Sequence, residues 1–128
     1  MRMNSSLLVI SIAFATSVSD SALIGDWRGD SICVVRPSAC VDEKSLYHVK
    51  KMDQPNHYSL QGDKIVNGQP DDMGTMDCSF APEKQALTCE FPQGVIHLAL
   101  RRTRLEGTMN LRDGRLWRNI SLGKDTAQ

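Results

Sequence analysis

Three histidines, four cysteines and two adjacent acidic pairs are the residues of this chain best equipped for chemistry. They would serve metal ligation, sulfur pairing or proton transfer. His48, His57 and His97 fall in three separate segments of alternating polarity. A two-histidine metal site needs both imidazoles within reach of one ion. Alternation sets His48 on the same side as Leu46, and it sets His97 opposite Ile96, Leu98 and Leu100, toward solvent. The histidines therefore read as isolated surface or rim residues, with no metal site. Asp42-Glu43 and Asp71-Asp72 read as solvated loop tips. Neighbouring acids on a strand point to opposite faces, so they cannot flank a glycosidic bond. Nor does the chain space out the six or so oxygen ligands that calcium requires. The G-x-S-x-G turn of serine hydrolases is absent. No catalytic residue is assigned, no cofactor is expected, and the expected mode of action is binding without catalysis.

The cysteines Cys33, Cys40, Cys78 and Cys89 allow three pairings. Neither close pair has the C-x2–4-C spacing of a zinc site. Spacing favours Cys33 with Cys40 and Cys78 with Cys89, each closing a short loop between neighbouring strands. Such bridges suit an oxidising compartment, and the N-terminus agrees. Arg2 supplies a positive start, residues 7–18 an apolar stretch, and Ser17, Ser19, Ser21 and Ala22 the small residues of a cleavage region. The stretch is too short for a permanent membrane span. The expectation is a cleaved signal peptide over 1–22, a single domain over 23–128, and a secreted or periplasmic location with no transmembrane segment in the mature chain. Formal net charge is zero, so nothing in the composition points to nucleic acid. Arg101, Arg102 and Arg104 read as a solvated turn, and the Asn119-Ile120-Ser121 sequon as chance.

What must position these residues is a succession of strands. No window of the mature chain sustains the i, i+3, i+4, i+7 spacing of a helix, whereas period-2 runs recur between turn signals. Strands are predicted over 26–35, 44–52, 57–66 (bent at Gly62), 73–80, 86–91 and 95–101. Folding 75–91 about Glu83-Lys84 sets Met76 against Phe91, Cys78 against Cys89 and Phe80 against Leu87 on one face. A one-residue slip would misplace all of them. Asp113-Gly114 predicts a final hairpin with a tight turn. It pairs Leu111 with Leu116, Met109 with Arg118, Gly107 with Ile120 and Leu105 with Leu122, which leaves Arg118 on the apolar face. Eight strands with short connections imply antiparallel neighbours. An all-β, eight-stranded up-and-down barrel follows, since closure removes exposed edges. A two-sheet sandwich is the alternative.

Gly25-Asp26-Trp27 and the inward Arg118 near the C-terminus resemble the calycin group of barrels: lipocalins, avidins and small bacterial metalloprotease inhibitors. There, G-x-W opens the first strand and a late basic residue packs over the Trp. The resemblance thus implies a structural signature of Gly25, Trp27 and Arg118, with the guanidinium stacked on the indole. The chain lacks a T-D-Y triplet and a C-terminal helix, and an avidin-type set of biotin-binding residues cannot be mapped onto it. Residues 25–43 are also similar to a group of exported bacterial proteins of unknown role.

Such barrels hold small ligands in their interior. On this reading Gly29 and Ser31 leave room beside Leu46, Met76, Phe80 and Met109 for a small apolar ligand. Packing is the competing role for Met76 and Met109. Trp27 reads as core. Trp117, on the polar face, is either an interface anchor or a partly covered amphipathic side chain. An alternative function is inhibition of a secreted or periplasmic protease, with Leu23-Ile24-Gly25 entering the cleft.

Overall fold

Alternation of apolar and polar residues carries through the folded chain as strand after strand. A computed structural model describes residues 22–35 and 39–125. Residues 1–21, which hold the expected signal segment up to Ser21 with Ser17 and Ser19, lie outside the described part, as do residues 36–38 and 126–128. The strands are β1 (Gly25–Cys33), β2 (Glu43–Lys51), β3 (His57–Val66), β4 (Gln69–Ala81), β5 (Ala86–Phe91), β6 (Gly94–Arg101), β7 (Arg104–Leu111) and β8 (Leu116–Lys124). Each pairs antiparallel with the next, and β8 returns to β1, so the sheet closes into a barrel and the sandwich alternative falls. The topology is consistent with calycin-like barrels. No helix among the described residues is long and apolar enough to cross a membrane.

Both disulfides form as the spacing favours, Cys33–Cys40 and Cys78–Cys89. The second links directly opposed residues of β4 and β5, with Phe80 opposite Leu87 in the same register. Beyond shifts of one or two residues at other strand ends, two features differ from expectation. β4 begins at Gln69, not near 73, because Asn67-Gly68 is a two-residue turn with φ of 52° and 77°. Positive φ at both central residues is the geometry Asn-Gly favours, and it lets pairing resume at once. Asp71 and Asp72 are therefore exposed strand residues, not a loop tip.

The second difference is in the last hairpin. Met109, Gly107 and Leu105 do face Arg118, Ile120 and Leu122, but Leu116 pairs with Asn110 and not with Leu111. A bulge between these pairs leaves Trp117 as an extra residue on β8. The bulge breaks the alternation there. Trp117 and Arg118, though consecutive, both border the same cavity.

The two ends of the barrel differ. Where β1 starts and β8 ends, Trp27, Tyr58, Leu60, Leu87, Leu105 and Leu122 are fully buried. Leu23 plugs this end, and its carbonyl accepts a 2.9 Å hydrogen bond from Trp27 Nε1. Phe80 packs edge-to-face on Tyr58, ring centroids 6.0 Å apart. The other half buries Ser31, Ser45 and Arg118, a polar set that no apolar core would choose.

Candidate functional site: an open cavity and an outer histidine

A cavity of about 530 Å³ occupies the polar half. That is within the range of small-molecule sites, about 300–1,000 Å³. Inward positions of successive strands build its wall, with Met76, Ile96 and Met109 supplying apolar surface and Phe91 and Trp117 aromatic surface. Small residues make the space: Ser31 on β1, Ser45 on β2 and Gly62 on β3 stand where the closed half carries Trp27, Val49 and Leu60. Around this end the large apolar side chains Val34, Val41, Val66 and Met73 are exposed. An apolar rim of this kind accompanies binding grooves.

Arg118 is the basic group of the cavity, 6% exposed. Its Nη1 donates to the carbonyl and hydroxyl oxygens of Ser31 at 3.2 and 3.3 Å. Its Nη2 donates to Glu43 Oε1 at 3.4 Å. The guanidinium also lies 5.6 Å from the Trp117 ring centre. A buried charge without a partner costs several kcal/mol, so the Glu43 carboxylate is what makes Arg118 tolerable there. Tyr47 shares the cavity wall with both. Its pKa is pushed up to about 12, first by burial and then by the Glu43 charge, with Arg118 opposing. The phenol stays protonated and keeps its O–H to donate.

Arg118 is inward as expected, but it does not cover Trp27. Closure pairs Arg118 with Cys33, and it pairs Trp27 with Lys124. The cation over the Trp27 ring is Lys124, its Nζ 4.7 Å from the ring centre. Lys124 also donates to the carbonyl of Ala22 at 3.2 Å and to that of Ile24. It thus holds the entry to β1, and it takes the place over Trp27 that the resemblance implies for Arg118. Because β1 and β8 run antiparallel, the start of one must meet the end of the other. That rule alone points to Lys124.

Of the expected ligand-lining residues, Ser31, Met76 and Met109 line the cavity, whereas Gly29, Leu46 and Phe80 do not. Phe80 belongs to the closed half, against Tyr58. Leu46 sits between inward Ser45 and Tyr47 and pairs with Arg28 and Asp63, which places it on the outer parity. Gly29 leaves no room for a ligand, because the backbone of β8 presses against it. Trp117 lines the mouth of the cavity and is half-buried, as a partly covered side chain. Leu23 is buried and is no free arm.

One cluster escaped the sequence reading. His48 is not isolated: it stands in a cross-strand row on the outer wall, opposite Asp26 on β1 and Gln61 on β3. Its Nδ1 is 2.6 Å from Asp26 Oδ1 and its Nε2 2.9 Å from Asp63 Oδ2. Gln61 Nε2 donates to Asp63 and, at 3.0 Å, to Asp72, whose Oδ1 also accepts from Gly74 N. The signal was available in the alternation of Asp26 and His48, had the register of β1 on β2 been known. Among the described residues no group of three or more His, Cys, Asp or Glu is placed to hold a metal ion. His97 is exposed, as its parity predicts.

Both ring nitrogens of His48 face ionised carboxylates, which only accept, so the imidazolium satisfies both contacts. Burial alone would lower its pKa, but the hydrogen bonds and charges of Asp26 and Asp63 outweigh that and hold it above the ordinary value. A folded-state pKa above the unfolded one stabilises the fold fully below about pH 6.5, and this is lost as pH rises through the folded value. Urea unfolding of His48→Gln should therefore show a deficit of about 1 kcal/mol at pH 6 that shrinks toward pH 9. The figure is at the low end for bonds to a charged group because the ring stays partly in water. Parallel pH profiles for the two proteins would contradict the pairing.

No protein-family model matches this chain, and comparisons with curated proteins and with solved structures find no match.

Proposed function

We propose that this chain is an exported, calycin-like binding protein that holds a small, mainly apolar molecule in the open half of its barrel and acts without catalysis. The observation that carries this reading is the asymmetry of the interior. One half is filled by large side chains, and the other keeps a cavity of about 530 Å³ behind an apolar rim. A chain stabilised by packing alone would gain by filling that space, since cavities are destabilising. Two disulfides and the signal-like N-terminus support work in an oxidising, extracytoplasmic setting. The G-x-W opening with a cation over its ring supports the calycin-like assignment.

A thermal-shift screen of small apolar metabolites against the disulfide-bonded domain tests it. A ligand at about 100 times its Kd adds about 2.7 kcal/mol, which raises the midpoint by about 10 °C in a domain of this size. Ser45→Phe, which fills the cavity from a buried wall position, should abolish the shift. A chemically broad screen with no shift would sink the proposal.

Inhibition of a secreted protease is the less favoured reading. Leu23 is packed under the barrel and its carbonyl is held by Trp27, so inserting Leu23-Ile24-Gly25 into a cleft would first undo that plug.

A further inference from the structure

The polar groups of the cavity specify more than an apolar guest. Glu43 and Arg118 form an ion pair, with side chains 25% and 7% exposed. Beside them Tyr47 keeps its proton. The pair itself therefore carries no net charge, yet it holds both donors and an acceptor, and the other carboxylate on the lining, Asp63, is already engaged by His48 and Gln61. Among the described residues the hydrogen bonds of Arg118 run through Nη1 and Nη2, and that to Glu43 is accepted by Oε1. The three contacts Arg118 does make are long, at 3.2 to 3.4 Å. A guanidinium has five N–H groups, and a carboxylate has two oxygens with about four acceptor sites, so capacity remains on both partners.

We infer that the cavity selects molecules with an uncharged polar end that both donates and accepts hydrogen bonds, a primary amide or an alcohol, on an apolar body. The inference rests on the cavity being a ligand site. An anionic head that reached Arg118 would lie beside Glu43, and a cationic head that reached Glu43 would lie beside Arg118. Either head would lose its water shell to meet one like charge along with the opposite one, and burial makes that repulsion expensive. A neutral head avoids both conflicts. It accepts from Arg118 or from the Tyr47 hydroxyl and donates to Glu43, so no buried group is left unmatched. Sites that hydrogen-bond a polar substituent reject analogues lacking it far more strongly than sites that only enclose apolar bulk.

Calorimetric titration at pH 7.4 with octanamide, octan-1-ol, octanoate and octylamine, which share one chain length, reads this directly. The amide and the alcohol should bind at least tenfold tighter than the acid and the amine. Glu43→Gln removes the negative charge, so octanoate should gain at least tenfold relative to octanamide. Tyr47→Phe, which leaves the ion pair in place, should weaken the amide and alcohol about fivefold and serves if Glu43→Gln does not fold. Equal binding of all four compounds would overturn the head-group selection and leave the cavity reading standing. Binding of none would overturn both.

Discussion

Alanine at Gly107 is expected to cost this barrel about 3 kcal/mol, the loss read when overpacking forces backbone apart. A Cβ there would lie 1.7 Å from the carbonyl oxygen of His97, and one at Gly29 would lie 2.0 Å from that of Ser121. Both obstacles are backbone of the neighbouring strand. No side chain can swing away, and relief requires the strands to part at the cost of ladder hydrogen bonds. Glycine inside a strand marks such close approaches. For a domain of this size the loss corresponds to a midpoint about 10–20 °C lower. Gly114→Ala is the control. Nothing lies within 4 Å of its Cβ position, and its φ of 92° alone makes it unfavourable. That backbone penalty is about 1–2 kcal/mol. Urea denaturation of Gly29→Ala, Gly107→Ala and Gly114→Ala decides the matter through the midpoint at unchanged slope. Gly107→Ala losing no more than Gly114→Ala would show that the strands are not held this close.

Removing the Cys78–Cys89 bridge should be the other large effect. The two disulfides span 11 and 7 residues of sequence separation, so loop-closure entropy assigns each about 2–3 kcal/mol. Burial separates them. Cys78 and Cys89 are 1% and 0% exposed within the core, whereas in the other bridge Cys33 is 4% exposed and Cys40 only half-buried. Replacing the first pair by alanine also leaves a void among packed side chains. The Cys78→Ala/Cys89→Ala protein should lose about 4 kcal/mol and the Cys33→Ala/Cys40→Ala protein about 2 kcal/mol. Equal losses, or the reverse order, would contradict the placement of the inner bridge.

Some parts of this fold are legible in the amino-acid sequence. The β4–β5 hairpin is, because Cys78, Phe80, Leu87 and Cys89 share one parity, and a slip of one residue would bury polar side chains. The last hairpin is legible up to Met109 and Arg118 and then fails by one residue at Leu116. A bulge adds a residue without changing composition, and the Asp113-Gly114 signal accommodates more than one loop length. The start of β4 was missed for a related reason: Asn67-Gly68 with Pro70 resembles a strand terminator as much as a hairpin turn. The role of Gly29 was misread because an absent side chain can make room for a ligand or for a neighbouring backbone. Composition does not separate the two.

Local order along the chain dictates parity, turn positions and the preference for neighbouring cysteines to pair, because these depend on residues close in sequence. From that information alone the eight strands and the inward Arg118 follow, with a closed barrel favoured over a two-sheet sandwich. Which inward residues share one height in the barrel depends on the closing pair β1–β8, whose partners are some ninety residues apart, as in Cys33 with Arg118 and Trp27 with Lys124. That single register brings Lys124 over Trp27, puts Arg118 between Ser31 and Glu43, and so divides the interior into a filled half and an open one. Long-range register is a property of closure, in which strand stagger must satisfy every neighbour at once.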